Sequence, residues 1–356
     1  METIPEMDTR KRYPINKKIE RQVTIRDVAK KAGVSPTTVS RVLTGKSIGH
    51  MREKTKEKVL VAIKELKYTP NKYARALKQQ KTGVIGVLIP DISDIFFSLI
   101  VRGVEKIAYQ NKYSVIVCDS ENSVKKEESY IDILIQEMVE GLIFVPCSRK
   151  SDRIKKLIER EVMVVLVDRE LDNFNLPAVV CDDFNNSYNL TKYLIDQGYK
   201  TIGFIKGPPA VTTAEDRYRG YIQALKDNNI SFNEVYVKQG MYTFESGYKA
   251  AREYLRIKKL PQAIIAANDL MALGAIGLFE KSGFKVPSDI GIAGFGDIPF
   301  ARLMNPRLST IRIPTFQMGQ EATKVLFSLM RGKSIRKMRR IMKTELIRGN
   351  SCRTIR

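Results

Sequence analysis

Short apolar runs recur along residues 82–330 and are separated by longer stretches with amphipathic, helix-like periodicity. Alternation of short buried strands with helices predicts a doubly wound α/β fold with parallel sheets. The pattern occurs twice, which predicts two such lobes in a core of this length. The strand-like runs are VIGVLIP (84–90), YSVIVC (113–118), GLIFVP (141–146), VMVVLV (162–167), AVVC (178–181), TIGFIKG (201–207), AIIAA (263–267) and IGIAGFG (290–296).

Polar and aromatic residues follow several of these runs, at positions where open α/β sheets bind ligands. Aromatic rings, an arginine, and carboxylate, amide and hydroxyl groups would suit a small polar ring, such as a sugar or a nucleobase, between two lobes. Taken singly, each residue could equally be a surface or packing residue, but as a set they favour a cleft. The candidates are Asp91, Ser93, Phe96, Phe97, Thr213, Arg217, Asn268, Asp269, Phe295 and Asp297.

The net charge of +22 is concentrated at the two ends of the chain. Residues 1–81 hold 21 Lys and Arg against 8 Asp and Glu, and residues 331–356 hold 10 against 1. The intervening residues hold 30 of each sign and are neutral overall. This distribution indicates a polyanion-binding module attached to a core with another task, since a basic surface that served only solubility would spread its charge.

The stretch TIRDVAKKAGVSPTTVSRVL (24–43) contains two short amphipathic helical patterns. Thr24 is the predicted N-cap of the first helix, and Gly33 ends it. Ser35 is the next predicted N-cap and Pro36 takes the first helical position. Two helices joined this closely predict a helix-turn-helix, and a third helical pattern at about residues 53–67 completes a small core.

In a helix-turn-helix, the N-terminal part of the second helix enters the major groove of DNA. Arg41 could bind a guanine with two hydrogen bonds, threonine side chains could contact polar edges or a thymine methyl group, and Pro36 offers apolar contact. The alternative is a helical hairpin that is only a core element. The candidate base-reading residues are Pro36, Thr37, Thr38, Ser40 and Arg41.

The segment YTPNKYARALKQQ (68–80) predicts a short helix that follows the third. Pro70 ends the preceding helix and Asn71 can cap a new one. Because two helical turns are marginal in water, we expect a linker that becomes helical when it docks. Leu77, with Lys72 nearby, suits insertion into a minor groove. The alternative is an ordinary linker whose leucine packs on the next domain.

Three stretches together resemble the LacI/GalR (lactose-repressor/galactose-repressor) family of bacterial transcription regulators: DVAKKAGVSPTTVSRVL, PNKYARALK and TGVIGVLIPDISDIFF. The resemblance runs from about Thr24 to the C-terminus. It implies that Pro36, Thr37 and Arg41 read bases and that Leu77 opens the central step of the operator. It also implies that Ser35 and Tyr68 contact phosphates. The predicted DNA-binding set is completed by Thr24, Thr38, Ser40, Asn71, Lys72 and Ala74.

The resemblance also implies a homodimer whose two headpieces bind a palindromic operator in double-stranded DNA, with hinge helices meeting at its centre. A small-molecule effector in the interlobe cleft, which Tyr242 would also line, would rotate one lobe against the other. Gly296 stands where many relatives have a ligand-binding aspartate, and Val211 stands where some have a polar or basic residue. The basic C-terminal end lacks a leucine heptad array, so a dimer is predicted rather than a tetramer.

Other readings of the core remain open. Control by a phosphocarrier protein, with the cleft secondary, is the alternative for the regulator. A sugar-binding receptor of the same fold would need an export signal and would lack the basic headpiece. The predicted divisions are a basic disordered arm (1–22), the helix-turn-helix domain (23–69), a hinge helix or linker (70–82), an N-terminal lobe (83–182 with 314–340) and a C-terminal lobe (183–313 with 341–356).

The sequence also argues against several classes of function. It contains no GxSxG, HExxH or Walker motif and has a single histidine, so we predict neither catalysis nor a metal or cofactor. Cys118, Cys147 and Cys181 lack zinc-site spacing and are expected to be buried thiols. Apolar runs are too short to cross a membrane and the N-terminal stretch lacks a signal-peptide core, so we predict a cytoplasmic protein.

Overall fold

The computed structural model describes residues 23–44, 51–68, 81–335 and 337–354. The predicted arm 1–22 and the hinge residues Asn71, Lys72, Ala74 and Leu77 lie outside these ranges. Their predicted roles therefore stay predictions. The chain divides into two compact units between Thr82 and Gly83.

Three helices form the described part of the N-terminal unit: α1 Ile25–Ala32, α2 Pro36–Thr44 and α3 Glu53–Glu65. Gly33 ends α1 in the left-handed region at φ +64°, which favours glycine. The buried side chains that the three helices bring together are Val28, Ala29, Ala32, Val39, Val59 and Ala62. The predicted helix-turn-helix and third helix are confirmed.

The predicted residues form hydrogen bonds at the starts of α1 and α2. The backbone N–H and Oγ1 of Thr24 donate to the carboxylate of Asp27 at 2.8 and 2.7 Å. The Oγ of Ser35 accepts the backbone N–H of Thr38 at 3.1 Å. The first backbone N–H groups of a helix have no acceptor within it, so side-chain hydrogen bonds at these positions stabilise the helix start. This explains where α1 and α2 begin.

The C-terminal unit is an alternating α/β structure. Its helices are α4 Ile95–Gln110, α5 Val124–Gln136, α6 Ile154–Glu159, α7 Asp183–Asp196, α8 Thr212–Asp227, α9 Phe244–Tyr254, α10 Asp269–Lys281, α11 Pro299–Leu303 and α12 Thr315–Met330. Its strands are β1 Val84–Ile89, β2 Ser114–Asp119, β3 Gly141–Phe144, β4 Met163–Val167, β5 Ala178–Val180, β6 Ile202–Lys206, β7 Val237–Gln239, β8 Ala263–Ala266, β9 Gly291–Gly296, β10 Ser309–Arg312, β11 Arg339–Ile341 and β12 Glu345–Ile347.

These strands form two six-stranded sheets. The first has the order β11-β5-β4-β3-β1-β2 with every pair parallel, and we call it and its helices the first lobe. The second has the order β12-β10-β9-β8-β6-β7, and it defines the second lobe. Only β12 is antiparallel to its neighbour among these described strands. The predicted pair of doubly wound, mainly parallel sheets is confirmed.

The chain passes between the lobes more than once. After β5 it enters α7, which packs on α8 and on strands of the second lobe. After β10 it returns as α12, which packs on α4 and on β3 and β4 of the first lobe. The last two strands, β11 and β12, then belong to different sheets. Each lobe is therefore built from discontinuous parts of the sequence.

The first sheet is covered on both faces, as parallel sheets generally are. Ile85 and Val87 of β1 belong to one buried cluster, and Leu88 of the same strand belongs to another with Phe144. Cys118, Cys147, Cys181 and Cys352 are buried free thiols, which confirms the prediction for the first three. In the described ranges, each helix is too short or too polar to cross a lipid bilayer.

Glycine permits close contact between α9 and α10. A Cβ at Gly274 would overlap the carbonyl oxygen of Phe244, whereas one at Gly277 on the same helix would lie 3.7 Å from the Phe244 ring, an ordinary contact. We expect Gly274→Ala to lower the free energy of unfolding by about 1–3 kcal/mol, because the helices must move apart. Gly277→Ala, the matched control, should raise it by up to about 1 kcal/mol through helix propensity. Urea unfolding of both variants measures this, and equal effects would contradict the packing argument.

Candidate functional site

The first candidate site is the exposed face of α2 in the N-terminal unit. Pro36, Thr37 and Arg41 are all exposed. They lie on the first two turns of the helix, where a groove-inserted helix contacts base edges. The arrangement presents a guanidinium, a hydroxyl and an apolar ring together.

The other predicted DNA-binding residues of this unit have more varied surroundings. Thr38 and Ser40 are half-buried, and the Oγ1 of Thr38 lies 2.9 Å from the Oγ of Ser35 in a hydrogen bond. Ser35 and Thr24 are exposed at the starts of their helices, where backbone N–H groups favour an anion. Tyr68 is half-buried against the core of the three helices, and this burial raises the pKa of its hydroxyl.

The second candidate site is a cavity between the two lobes of the C-terminal unit. Its lining combines aromatic, charged and amide side chains from both lobes, a composition typical of small-molecule sites. Eight predicted effector-binding residues line it: Phe96, Phe97, Thr213, Arg217, Tyr242, Asn268, Asp269 and Phe295. The residues that sequence reasoning missed are Asp94, Asp168, Arg169, Leu270 and Ile298.

Arg217 is the buried cation of the second lobe, with only 4% of its surface exposed. Its Nε donates to Oδ1 of Asp183 at 2.7 Å, and its Nη1 donates to the carbonyl oxygen of Ala267 at 2.7 Å. Its guanidinium carbon lies 4.1 Å from the ring centroid of Phe295. Burial raises the pKa of Asp183, and Arg217 opposes that rise. Arg217 is therefore held rigidly on three sides.

Asp168 and Arg169 extend from the first lobe into the cavity directly after β4. Both are buried, at 6% and 2% exposure. The guanidinium carbon of Arg169 lies 5.3 Å from the ring centroid of Phe97 and 5.8 Å from that of Tyr242. Burial raises the pKa of Asp168, while the charges of Arg169 and Arg217 lower it.

Tyr242 connects the charged groups of the two lobes. Its ring centroid lies 5.8 Å from the guanidinium carbon of Arg217 as well as from that of Arg169. Its hydroxyl is 3.3 Å from Oγ1 of Thr213, and its carbonyl oxygen accepts from Nδ2 of Asn268 at 2.8 Å. Cations within about 6 Å of an aromatic ring centroid are attracted by the ring's electrons, so the Tyr242 ring favours both guanidinium groups.

Two cavity carboxylates are engaged with the protein itself. Asp269 accepts from Oγ1 of Thr310 at 2.6 Å and from the N–H of Ile298 at 2.9 Å. Asp94 caps α4 by accepting the N–H of Phe96 at 2.9 Å. Burial raises the pKa of Asp94 and of Asp269 to about 6 in each case, against these hydrogen bonds.

Three predicted effector-binding residues do not line the cavity. Asp91 accepts both the N–H and the Oγ–H of Ser93, at 2.8 and 2.6 Å, so the two side chains close a turn on each other. Asp297 is buried, and its carboxylate pairs with Arg312 at 2.6 Å and with Arg302 at 3.1 Å. Each of the three side chains therefore has a partner within the protein, and its predicted role in effector binding stays a prediction.

The described residues hold no group of three or more His, Cys, Asp or Glu side chains placed to bind a metal ion. Gly296, which stands in place of a ligand-binding aspartate in the resemblance, adopts φ +143°. A side chain is strained in that region, and a Cβ there would also lie 3.2 Å from Oδ2 of Asp269. The backbone conformation at residue 296 therefore favours glycine over aspartate.

Comparison with known proteins covers both units. Residues 24–71 match the model of bacterial regulatory proteins, lacI family, and residues 191–352 match that of the periplasmic binding protein-like domain. The HTH-type transcriptional regulator RegA of Clostridium saccharobutylicum is 36% identical, over 92% of this chain and 98% of its own. The HTH-type transcriptional repressor PurR of Photorhabdus laumondii subsp. laumondii is 38% identical, over 85% and 89%.

A solved structure shares the architecture as well. The lac repressor dimer bound to operator and the anti-inducer ONPF superposes with a TM-score of 0.84 at 27% identity. The match covers 94% of this chain and 100% of that chain.

Proposed function

Since the chain belongs to the lacI family of bacterial regulatory proteins, we propose that it represses transcription by binding a palindromic operator as a homodimer and that an effector in the interlobe cavity controls this binding. The effector is a small polar ring, a sugar or a nucleobase derivative. The protein acts in the bacterial cytoplasm and is not an enzyme.

The exposed face of α2 supports the DNA-binding part of this proposal. Pro36, Thr37 and Arg41 form a compact exposed set on a helix-turn-helix, and residues 1–81 carry a large excess of positive charge. The charge supplies sequence-independent attraction to phosphates, while the exposed side chains of α2 supply the discrimination between bases. The lac repressor structure in which a dimer holds an operator is consistent with the same arrangement here.

The single observation that carries the effector part is the contribution of both lobes to one cavity. Asp168 and Arg169 come from the first lobe, and Arg217 and Tyr242 come from the second. A molecule bound there would contact both lobes at once, so its affinity depends on their relative arrangement. Such a difference in affinity is the physical requirement for control by a ligand.

The charges of the cavity favour a neutral effector. Arg217 is already paired with Asp183, which leaves Arg169 beside the carboxylates of Asp94 and Asp168. Anions would be repelled by those carboxylates, whereas hydroxyl or amide groups can both donate to a carboxylate and accept from a guanidinium. The aromatic rings in the lining offer flat faces to a ring-shaped molecule.

A selection from randomised duplexes at moderate salt tests the proposal. Full-length protein is incubated with the duplex pool alone or with one of ribose, cellobiose, adenosine, cytidine or adenine. We expect enrichment of a palindromic sequence and a change in its affinity with at least one compound. The absence of any enriched duplex would contradict the DNA-binding part. Enrichment of a duplex whose affinity changes with none of the compounds would contradict the effector part.

A further inference from the structure

Glu127 is a fully buried acid that lies outside the interlobe cavity. It belongs to α5 in the first lobe and has 0% exposure. Its Oε2 accepts the backbone N–H of Cys147 at 2.7 Å. Burial raises the pKa of Glu127, and that hydrogen bond and the charge of Arg169 oppose the rise. Burial of an acid is costly unless hydrogen bonds or opposite charges compensate it, so the groups around Glu127 must stabilise its carboxylate.

The partner is a single peptide group that Glu127 shares with Arg169. The N–H of this group, on Cys147, donates to Glu127, and its C=O, on Pro146, accepts Nη1 of Arg169 at 3.1 Å. Because a peptide group is planar, the orientation of its N–H also sets the direction of its C=O. Hydrogen bonds at both ends of one peptide polarise each other in a low-dielectric interior.

Arg169 is the member of this chain of contacts that lines the cavity. Its Nε is buried without a hydrogen-bond partner among the described residues. The nearest carboxylate oxygen, Oδ2 of Asp168, is 3.6 Å away, which is too long for a hydrogen bond. A buried N–H without a partner is costly, so a ligand that supplies an acceptor gains from this donor.

We propose that Glu127 is a positioning residue for the effector site, which holds Arg169 through the Pro146–Cys147 peptide so that Arg169 can donate to an acceptor on the effector. The inference rests on the proposed function, in which the cavity binds the effector. Loss of the acceptor at residue 127 frees the N–H of Cys147, lets the peptide rotate and withdraws the carbonyl that holds Arg169.

Two substitutions of similar size separate the acceptor from side-chain volume. Glu127→Gln keeps an oxygen for the N–H of Cys147, whereas Glu127→Met fills the same space without one. Full-length protein labelled with ¹⁵N-arginine reports the exchange rate of each buried Nε–H, and Arg169→Lys identifies the Arg169 signal. Arg217, whose Nε is bonded to Asp183, serves as a reference in the same spectrum.

We expect Glu127→Met to speed exchange of the Nε–H of Arg169 by about tenfold or more, with little change at Arg217. A guanidinium that has lost the hydrogen bond from its Nη1 to the carbonyl oxygen of Pro146 is held less firmly away from water. Glu127→Gln should stay within about threefold of the wild type, since the acceptor is retained. Glu128→Met, the adjacent and more exposed position, is the matched control and should change neither signal. Any of the five compounds that binds the wild type should bind Glu127→Met at least about tenfold more weakly in calorimetry.

An unchanged Arg169 signal in Glu127→Met would overturn the inference, as would equal acceleration at Arg169 and Arg217, which indicates general loosening. If Glu127→Met does not fold, Glu127→Asp replaces it, because its shorter side chain withdraws the acceptor while keeping the charge. The same tenfold criterion then applies. The proposed function fails separately, when no duplex is enriched and no compound alters binding, because the arginine signals need neither DNA nor a ligand.

Discussion

Arg217→Met is expected to lower the free energy of unfolding of the C-terminal unit by about 3–5 kcal/mol, the usual cost of removing one member of a buried ion pair. The substitution leaves the carboxylate of Asp183 buried without its partner at 2.7 Å. It also frees the carbonyl oxygen of Ala267 and removes the cation over Phe295. Denaturant unfolding of the full chain, followed by circular dichroism because the sequence has no tryptophan, measures the loss.

Arg219→Met provides the matched control on the same helix. Arg219 pairs with Asp216 at 3.3 Å, but its side chain is 60% exposed. Exposed pairs contribute about 0–1 kcal/mol, so this variant should be nearly as stable as the wild type. Similar losses in the free energy of unfolding for both variants would show that the buried Arg217–Asp183 pair stabilises the protein no more than an exposed pair does.

The stability deficit of Arg217→Met should also depend on pH. Burial raises the pKa of Asp183, so the folded state keeps a proton that the unfolded chain has released, and stability falls as pH rises through that window. Removing Arg217 raises this pKa further and extends the window upward. The deficit should therefore be smaller at about pH 5 than at about pH 8, because protonation of Asp183 removes the unpaired charge. A deficit that grows as the pH falls would contradict this.

Features set by a few neighbouring residues could be predicted from the sequence. Gly33, Ser35 and Pro36 specify the turn and the start of α2 through local backbone chemistry, and the structure has them in those roles. The eight strand-like runs could be predicted because strands buried on both faces of a parallel sheet are apolar along their whole length. Four strands were not predicted. The edge strands β7, β11 and β12 have three residues each, and β10, with the sequence STIR, is mostly polar; pairing with distant partners in the sheets defines them.

Some residues of the cavity could be predicted from their position after a strand, and others could not. Asp168 and Arg169 directly follow the run VMVVLV, so the rule that selected Asn268 after AIIAA could have selected them too. By contrast, Asp297 also follows a strand but pairs with Arg312, which is a contact between side chains that spacing does not reveal. The link from Glu127 to Arg169 likewise depends on a peptide group distant from both in sequence.

Arg41→Ala is expected to weaken binding to the selected duplex by about 1–3 kcal/mol and to relax the base preference at one position of each half-site. Arg41 is exposed on the part of α2 that would enter the major groove, where a guanidinium can form two hydrogen bonds with a guanine. Base-specific loss requires that affinity for unrelated duplexes falls much less than affinity for the selected one. Repeating the selection with the variant identifies the relaxed position.

Lys58→Ala separates this effect from a simple loss of charge. Lys58 is exposed on α3 and its removal changes the net charge of the headpiece by the same amount as the removal of Arg41. A purely electrostatic contribution weakens all duplexes alike and diminishes as salt rises, since it arises from counterion release. The two variants should therefore differ in specificity while sharing a reduced dependence on salt. If Arg41→Ala lowers selected and unrelated duplex affinities equally, as expected of Lys58→Ala, Arg41 contacts phosphate and the base-reading role passes to Pro36 and Thr37.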